Sequence, residues 1–266
     1  MTRSATVDSV EVIIPNFNRH EKLIRAVESV LNQSSNLVTR ISIYDDGSDV
    51  ELNDEIEKYF AKEKVVSLNR MPHSGNPGSL RKLGVSRATT KYVAFLDSDD
   101  WWDPRKLEIQ LGNLLDSRCI ASSTNGYHWE ITGPRYFFES HRSIPTKIGF
   151  EDLIFENFVI NSSMVVHLEF LKMIGDYASS LLVKSVEDYA TWLRLLTFGT
   201  IAYINEPLVH YSDTDKQSSI RASFQIDPRH KAIEDFILWS HLDPRRKKRF
   251  VNLAKQELIH LKENSK

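Results

Sequence analysis

The stretch Tyr92–Trp102, YVAFLDSDDWW, decides how this chain is read. Five mostly apolar residues, Tyr92 to Leu96, are too few for a buried helix and suit a buried strand. The run stops on Asp97, Ser98, Asp99 and Asp100, so three carboxylates crowd the strand's end. Like charges this close raise one another's pKa unless something positive sits among them. Hard carboxylate oxygens suit Mg²⁺ or Mn²⁺, and open α/β sheets bind ligands outside the carboxyl ends of their strands. Alternatively, a polar turn caps the next helix, with Asp103 as N-cap and Pro104 at N1. That accounts for Asp103 but leaves Asp97 and Asp99 without a role, which favours a metal–anion site.

Working outward, the upstream chain alternates strand and helix. Val10 to Ile14 is a β-branched run stopped by Pro15. Leu23, Ile24, Val27, Val30 and Leu31 then fall at helical spacing. A strand at Ile41 to Tyr44 ends on Asp45-Asp46-Gly47-Ser48, and a helix follows through Ile56 and Phe60. A strand at Val65 to Leu68, the loop from Asn69 to Gly78 and a helix to about Ala88 lead back to Tyr92. Such alternation predicts parallel βαβ units with right-handed crossovers. Downstream, a helix is expected from Lys106 to Leu115, then mixed or antiparallel strands beyond Cys119 that continue the sheet. Val186 to Phe198 reads as a helix and Ile201 to Ile204 as a strand. The section from Ile226 onward reads as helical and basic, with Asp243-Pro244 opening its last helix.

Composition sets the class. With 41% hydrophobic and 26% charged residues over 266 positions, the chain is an ordinary globular protein with a substantial core. A net charge of −2 gives no global pull towards nucleic acid or anionic membrane. Cys119 is the only cysteine, which excludes an intramolecular disulfide and fits a reducing compartment. The N-terminus lacks the apolar core of a secretory signal, and no segment has the roughly 20 apolar residues a membrane span needs. A cytoplasmic protein is expected, with any membrane attachment peripheral.

Three strand ends are polar in the same way: Asn16 and Asn18, then Asp45 and Asp46, then Asp97 and Asp99. In a doubly wound sheet they converge on one edge, where a nucleotide crevice forms. Asp45 or Asp46 could accept hydrogen bonds from a base or ribose; an Asx-turn at DDGS is the plainer account. The loop Pro72–Ser79 opens a helix whose N-terminus favours anions, although it carries no P-loop signature. Arg81 in that helix could reach a nucleotide's phosphates, or could be a solvated surface charge. Glu187-Asp188 opens another helix; if its mouth faces the acidic strand end, one of the two is a candidate general base. Trp101 and Trp102 could stack on a sugar or lie in the core. Arg245–Arg249 is a run of five basic residues beside an apolar stripe of Phe250, Ala254, Leu258 and Leu261. That helix either packs on the domain, which is slightly favoured, or meets anionic lipid.

These pieces, in order, are VEVIIPNFNR, SVLNQS, IYDDGS, GNPGSLRKLGVSRA, YVAFLDSDDWWDPRKLE and VEDYATWLRLLTFGTIAYINEPLVHY. Spread over roughly residues 10–211, the set resembles an inverting family 2 glycosyltransferase with the GT-A fold. The resemblance implies an α/β, Rossmann-like, mixed and mostly parallel sheet flanked by helices. It puts the nucleotide-sugar-binding and catalytic domain at 1–211 and a C-terminal helical extension at 212–266. It implies transfer of a sugar from a nucleoside diphosphate, most often UDP, to an acceptor hydroxyl of a saccharide or lipid-linked saccharide in bacterial surface polysaccharide synthesis.

By position, Asp97-Ser98-Asp99 matches the family's DXD motif. Asp97 then lies near ribose or metal, and Asp99 ligates Mn²⁺ or Mg²⁺ bridging the diphosphate. Asp45 or Asp46 matches the base-contacting acid, with Pro15 and Asn18 beside it, and Arg81 matches the arginine of an A-R-N segment. Asp188 matches the catalytic base, with Glu187 the lesser candidate. The match is incomplete, because Lys82 replaces that asparagine and Ser212 and Thr214 stand where many members carry R-x-H. His210 just before is a candidate third metal ligand, although a surface histidine is the plainer account. Two rivals are a sugar nucleotidyltransferase, whose Gly-rich basic signature PNFNRH at 15–20 does not supply, and a non-catalytic nucleotide-sugar-binding protein.

Overall fold

A computed structural model describes residues 9–130, 133–138, 143–212, 228–241 and 244–264. The first part runs β1 (Val10–Asn16), α1 (His20–Leu31), β2 (Val38–Asp45), α2 (Val50–Tyr59), β3 (Val66–Arg70), α3 (Pro77–Arg87) and β4 (Tyr92–Phe95). There follow β5 (Trp101–Trp102), α4 (Lys106–Ser117), β6 (Ala121–Glu130), β7 (Gly133–Tyr136), β8 (Lys147–Ile148) and α5 (Phe150–Leu153). The last are β9 (Val165–His167), α6 (Leu168–Met173), α7 (Glu187–Leu195), β10 (Ile201–Ser212), α8 (Pro228–Ser240) and α9 (Pro244–Asn264).

One sheet has the order β3-β2-β1-β4-β9-β6-β10-β5, with β7 on β6 and β8 on β10. The long ladders, β1–β2, β2–β3, β1–β4 and β6–β10, are parallel, and short antiparallel pairings of β9 join the two halves. The four strands expected from alternation are therefore neighbours. β1 sits between β2 and β4 and is buried along its whole length, which is why Val12, Ile13 and Ile14 are apolar in succession instead of alternating with polar residues. Val12 and Ile14 face one core cluster and Ile13 the other. α1 buries Leu23, Ala26, Val27 and Val30, the i, i+3, i+4, i+7 stripe of an amphipathic helix. α3 starts where its chemistry dictates. The Asn76 side chain accepts from Ser79 N at 3.3 Å and Pro77 takes N1. Gly84 lets α3 lie against β1, because a Cβ there would sit 2.8 Å from the Ile13 methyls.

The expected start of α4 at Lys106 holds, but the alternative in which Asp103 caps it does not: Asp103 Oδ1 accepts from Arg105 N at 2.9 Å in the preceding turn. Two expectations are corrected. α7 is shorter than expected at both ends. β10 runs on to Ser212, because it pairs with β6 through irregularities at Pro207 instead of ending at Ile204.

α8 and α9 belong to the same core as α7. Ala232, Ile233, Phe236, Ala254 and Leu261 are buried with Trp192 and Phe150, and the Phe236 and Phe250 rings each lie 4.8 Å from Phe150. Arg194 of α7 reaches Asp235 Oδ2 through both Nε (3.1 Å) and Nη2 (2.5 Å). The apolar stripe of α9 thus faces the protein. The side chains of 245–247 lie outside the described residues, as do Asp243 and Thr214. Among the described residues no helix is long and apolar enough to cross a membrane.

Candidate active site

A cleft of about 540 Å³ opens where β1, β2 and β4 end. Pro15, Asp46, Arg81, Asp97, Ser98, Asp99, Glu187 and Asp188 all line it, so most of the residues singled out in sequence meet in one place. Asp188 stands on the same cleft as Asp97 and Asp99 rather than in solvent behind the sheet.

The acidic turn after β4 is held from several sides. Asp97 N donates to Ser162 Oγ at 3.0 Å, and Asp97 Oδ1 accepts from Arg81 Nη2 (2.5 Å) and Asn161 Nδ2 (3.0 Å). Asp99 pairs with Arg19 Nη1 at 2.9 Å, and its carbonyl accepts from Arg25 Nη2 at 2.7 Å. Burial raises the Asp99 carboxyl above its ordinary value; Arg19 opposes this and Asp97's charge adds to it. Asp100 is fully internal, accepting from Ser162 Oγ at 2.5 Å and from Ser212 N at 3.0 Å. Burial pushes its carboxyl well up, with the charges of Asp99 and Asp97 next. Asp100 is therefore the buckle between this turn and the end of β10, not a cleft ligand.

The residues present fit a divalent cation. Asp97 and Asp99 offer hard oxygens in a turn with more negative charge than Arg19 and Arg81 relieve, and Mg²⁺ commonly takes one or two carboxylates and fills its shell with substrate phosphates. Among the described residues no three of His, Cys, Asp and Glu form a complete protein cage. His210 does not supply a third ligand. Its cross-strand neighbours on β5 and β6 are Trp101 and Tyr127, so its ring stacks on Trp101 at 4.9 Å and its Nδ1 accepts from Trp129 Nε1 at 3.0 Å, outside the cleft lining. Trp101 belongs to that stack, and the Arg25 guanidinium lies over its ring at 3.8 Å. Trp102 is core, its Nε1 donating to Ser162 O at 2.8 Å.

Arg81 is not a solvated surface charge. It is buried (6% exposed) and bridges Asp97 through Nη2 and Glu187 Oε1 through Nη1 at 3.2 Å. That separates the two acids of α7. Glu187 is ion-paired, whereas Asp188 has no ion-pair partner among the described residues and accepts only from Tyr189 N, at 2.7 Å. Burial first, then the neighbouring Glu187 charge, raises the Asp188 carboxyl to about 6; the Tyr189 N–H and Arg81 hold it lower than it would otherwise go.

At the nucleotide edge the structure distinguishes residues that sequence left equal. Asp45 is 0% exposed and is consumed by Ser48 N, Ser48 Oγ, Asn16 Nδ2 and Asn53 Nδ2, so it is the Asx-turn anchor and cannot contact a ligand. Asp46 reaches the cleft but also ties down the next loop, accepting from Ser74 N and Gly75 N at 2.8 Å each and pairing with His73. Pro15 lines the cleft; Asn18 does not, its side chain accepting from Asp49 N at 3.0 Å in a left-handed turn (φ 48°). Sequence reasoning missed Arg19, Asn161, Tyr177, Lys184 and the stacked pair Phe17–His73. The polar triplet Asn161-Ser162-Ser163 inside an apolar run was the available signal for Asn161.

Comparison with known proteins accords with this geometry. Residues 11–171 match the profile described as glycosyl transferase family 2, more than half of the chain. An uncharacterized glycosyltransferase of Rickettsia conorii is 30% identical over 202 residues, 75% of this chain and 32% of that protein. The putative teichuronic acid biosynthesis glycosyltransferase TuaG of Bacillus subtilis is 29% identical over 203 residues, 76% of this chain and 78% of its own length. The chain spans only 16% to 32% of the length of its rickettsial relatives. Staphylococcus aureus TarS 1–349, in a crystal structure with UDP-GlcNAc, superposes with a TM-score of 0.72 at 14% identity, covering 94% of this chain and 71% of that one. The long parallel ladders, the acid-rich strand end and the match over 11–171 lead to one assignment: the chain belongs to glycosyl transferase family 2 and has the GT-A fold.

Proposed function

We propose that this protein transfers a sugar, with inversion, from a UDP-sugar to the hydroxyl of a saccharide or lipid-linked saccharide acceptor in the synthesis of a bacterial surface polysaccharide. One observation carries the proposal: a single cleft holds the paired carboxylates Asp97 and Asp99 and, on another element, Asp188 with no cationic partner among the described residues. Inverting transfer needs that division. The leaving diphosphate must be neutralised on one side, and the attacking hydroxyl must lose a proton on the other.

Asp97 and Asp99 would hold Mg²⁺ or Mn²⁺, which as a Lewis acid neutralises charge growing on the departing diphosphate. Lys184 adds a positive charge to the cleft that favours an anionic ligand, Arg19 and Arg81 being held by Asp99, Asp97 and Glu187. Asp46 and Pro15 border the end of the cleft assigned to the nucleotide, and the stacked Phe17 and His73 rings lie beside it. Asp188 takes the proton of the acceptor hydroxyl, and a carboxyl value near 6 makes it a stronger base than a free aspartate while still ionised at neutral pH. The UDP preference follows the family resemblance and the shared fold of TarS, crystallised with UDP-GlcNAc, and the polysaccharide setting follows the likeness to TuaG, which is described as a putative teichuronic acid biosynthesis enzyme.

Thermal unfolding with UDP-, GDP- and dTDP-sugars, each with and without Mn²⁺, tests donor and cation together, because a ligand of the folded state raises its melting temperature. A UDP-sugar should raise it most, and only fully with Mn²⁺; Asp99→Asn should abolish the Mn²⁺ increment. Equal shifts with and without Mn²⁺ would remove the metal from the proposal, and a larger shift with another nucleotide would remove UDP.

A further inference from the structure

Glu187 opens α7 one residue before the proposed base, buried to 6% exposure. Its Oε1 accepts from Arg81 Nη1, and the other end of that guanidinium holds Asp97. A second path closes a ring: Asp97 Oδ1 accepts from Asn161 Nδ2, Asn161 Oδ1 accepts from Tyr177 OH at 2.9 Å, and the Tyr177 ring lies 5.6 Å from the Arg81 guanidinium. The backbone is shaped around this arrangement. A Cβ on Gly78, three residues before Arg81 in α3, would sit 2.9 Å from Glu187 Cγ and 2.9 Å from Ala178 O. Asn76, the cap of that helix, donates through Nδ2 to Ser179 O at 3.1 Å.

Stability alone does not account for Glu187. Its Oε2 is buried with no hydrogen-bond partner, as is Arg81 Nε. Unsatisfied buried groups are costly, and a buried ion pair is often no better for stability than a neutral replacement. A charge retained under those conditions points to the reaction.

We propose that Glu187 is a positioning residue: acting through Arg81, it locks the base-bearing helix α7 to the acidic turn after β4, so that Asp97 and Asp188 keep a fixed separation across the cleft. This rests on the sugar-transfer function above and gives α7's first acid a role distinct from the base. A second consequence is electrostatic. The charged groups acting on Asp188 are Glu187 and Asp97, which raise its carboxyl, and Arg81, which lowers it; Tyr177 and Lys184 complete the titratable surroundings.

The test is Glu187→Gln in the full chain, measuring UDP affinity with Mn²⁺, the pH profile of kcat/KM with the donor selected above, and thermal unfolding. The expected result is UDP affinity within about threefold of wild type, kcat lower by about ten- to a hundredfold, and the acid limb of kcat/KM displaced to lower pH. Arg81→Gln and the double variant should be non-additive in thermal unfolding, since the two residues share one interaction. Wild-type kcat with an unmoved limb would overturn the proposal, as would a parallel loss of UDP affinity, kcat and melting temperature. Undiminished transfer by Asp188→Asn would instead sink the choice of base, while the coupling of Glu187 to Arg81 would still be decided by the unfolding measurements.

Discussion

At the scale of single residues, Asp188 carries opposite consequences for rate and stability. Its carboxyl rises to about 6 in the folded protein, against an ordinary value near 3.9 in an unfolded chain. The folded state therefore binds the proton more tightly, so ionised Asp188 costs stability above pH 6, and the cost fades below about pH 4. Asp188→Asn should raise stability at pH 8 by about 1–2 kcal/mol, with water screening in the open cleft allowed for, and leave it unchanged at pH 4. Transfer should fall at least about a hundredfold while UDP binding persists, and wild-type kcat/KM should rise through a limb near pH 6. Urea unfolding at the two pH values, beside a transfer assay, checks both; a variant less stable at pH 8 would contradict the assigned burial. The acids at Asp97, Asp99 and Asp188 were legible in sequence because carboxylates crowding a strand end or helix mouth need a reason. The difference between Asp45 and Asp46 was not, since both end the same strand and only hydrogen bonds in space show that Asp45 is consumed by its own turn. His210 misled for a related reason: its role depends on which residues pair across from β10, and pairing is not written in local sequence.

Among the elements, α1 and β1 were legible because a helical period and a β-branched run are local signals, whereas the Asn76 cap that starts α3 at Pro77 lay inside what reads as a loop. The full length of β10 was hidden by Glu206-Pro207, which reads as a break but is absorbed as an irregularity in the ladder. How α7 is held was equally hidden, because its anchor comes from far along the chain. Arg194 in its last turn meets Asp235 of α8, which also accepts from Ser180 Oγ at 3.2 Å. Both side chains are nearly buried (12% and 7% exposed), so removing one partner strands a charge. Asp235→Ala should cost about 3–5 kcal/mol. Because Ser180 is close in sequence to Lys184 and Asp188, turnover should suffer more than the affinity for UDP. Denaturant unfolding and donor kinetics on the same preparation measure this; a loss under 1 kcal/mol would mean that packing alone holds the two helices.

For the molecule as a whole, the question is whether the catalytic sheet stands without its last two helices. The resemblance covers the sheet and ends near Tyr211, which invites treating the remainder as an appendage. The packing argues otherwise. Ile233, Phe236 and Leu261 fill the core cluster that contains Trp192 of α7 and Phe150 of α5, and Arg229 adds a bond to Phe155 O at 2.5 Å. Burying three such side chains contributes about 5–9 kcal/mol, of the same order as the whole stability of an ordinary domain. A chain ending at Ser212 would expose the Trp192 side of α7, the helix that carries Asp188, and leave Arg194 without its carboxylate. It should therefore fail to unfold cooperatively, bind an apolar dye before heating, and lose transfer entirely. Exposed basic residues of α9 such as Lys248 can be replaced in the intact chain without this effect, since Lys248 lies outside the core. A truncated protein with a sharp thermal transition and native UDP binding would show that α8 and α9 are dispensable cover, and that β1 to β10 alone set the cleft.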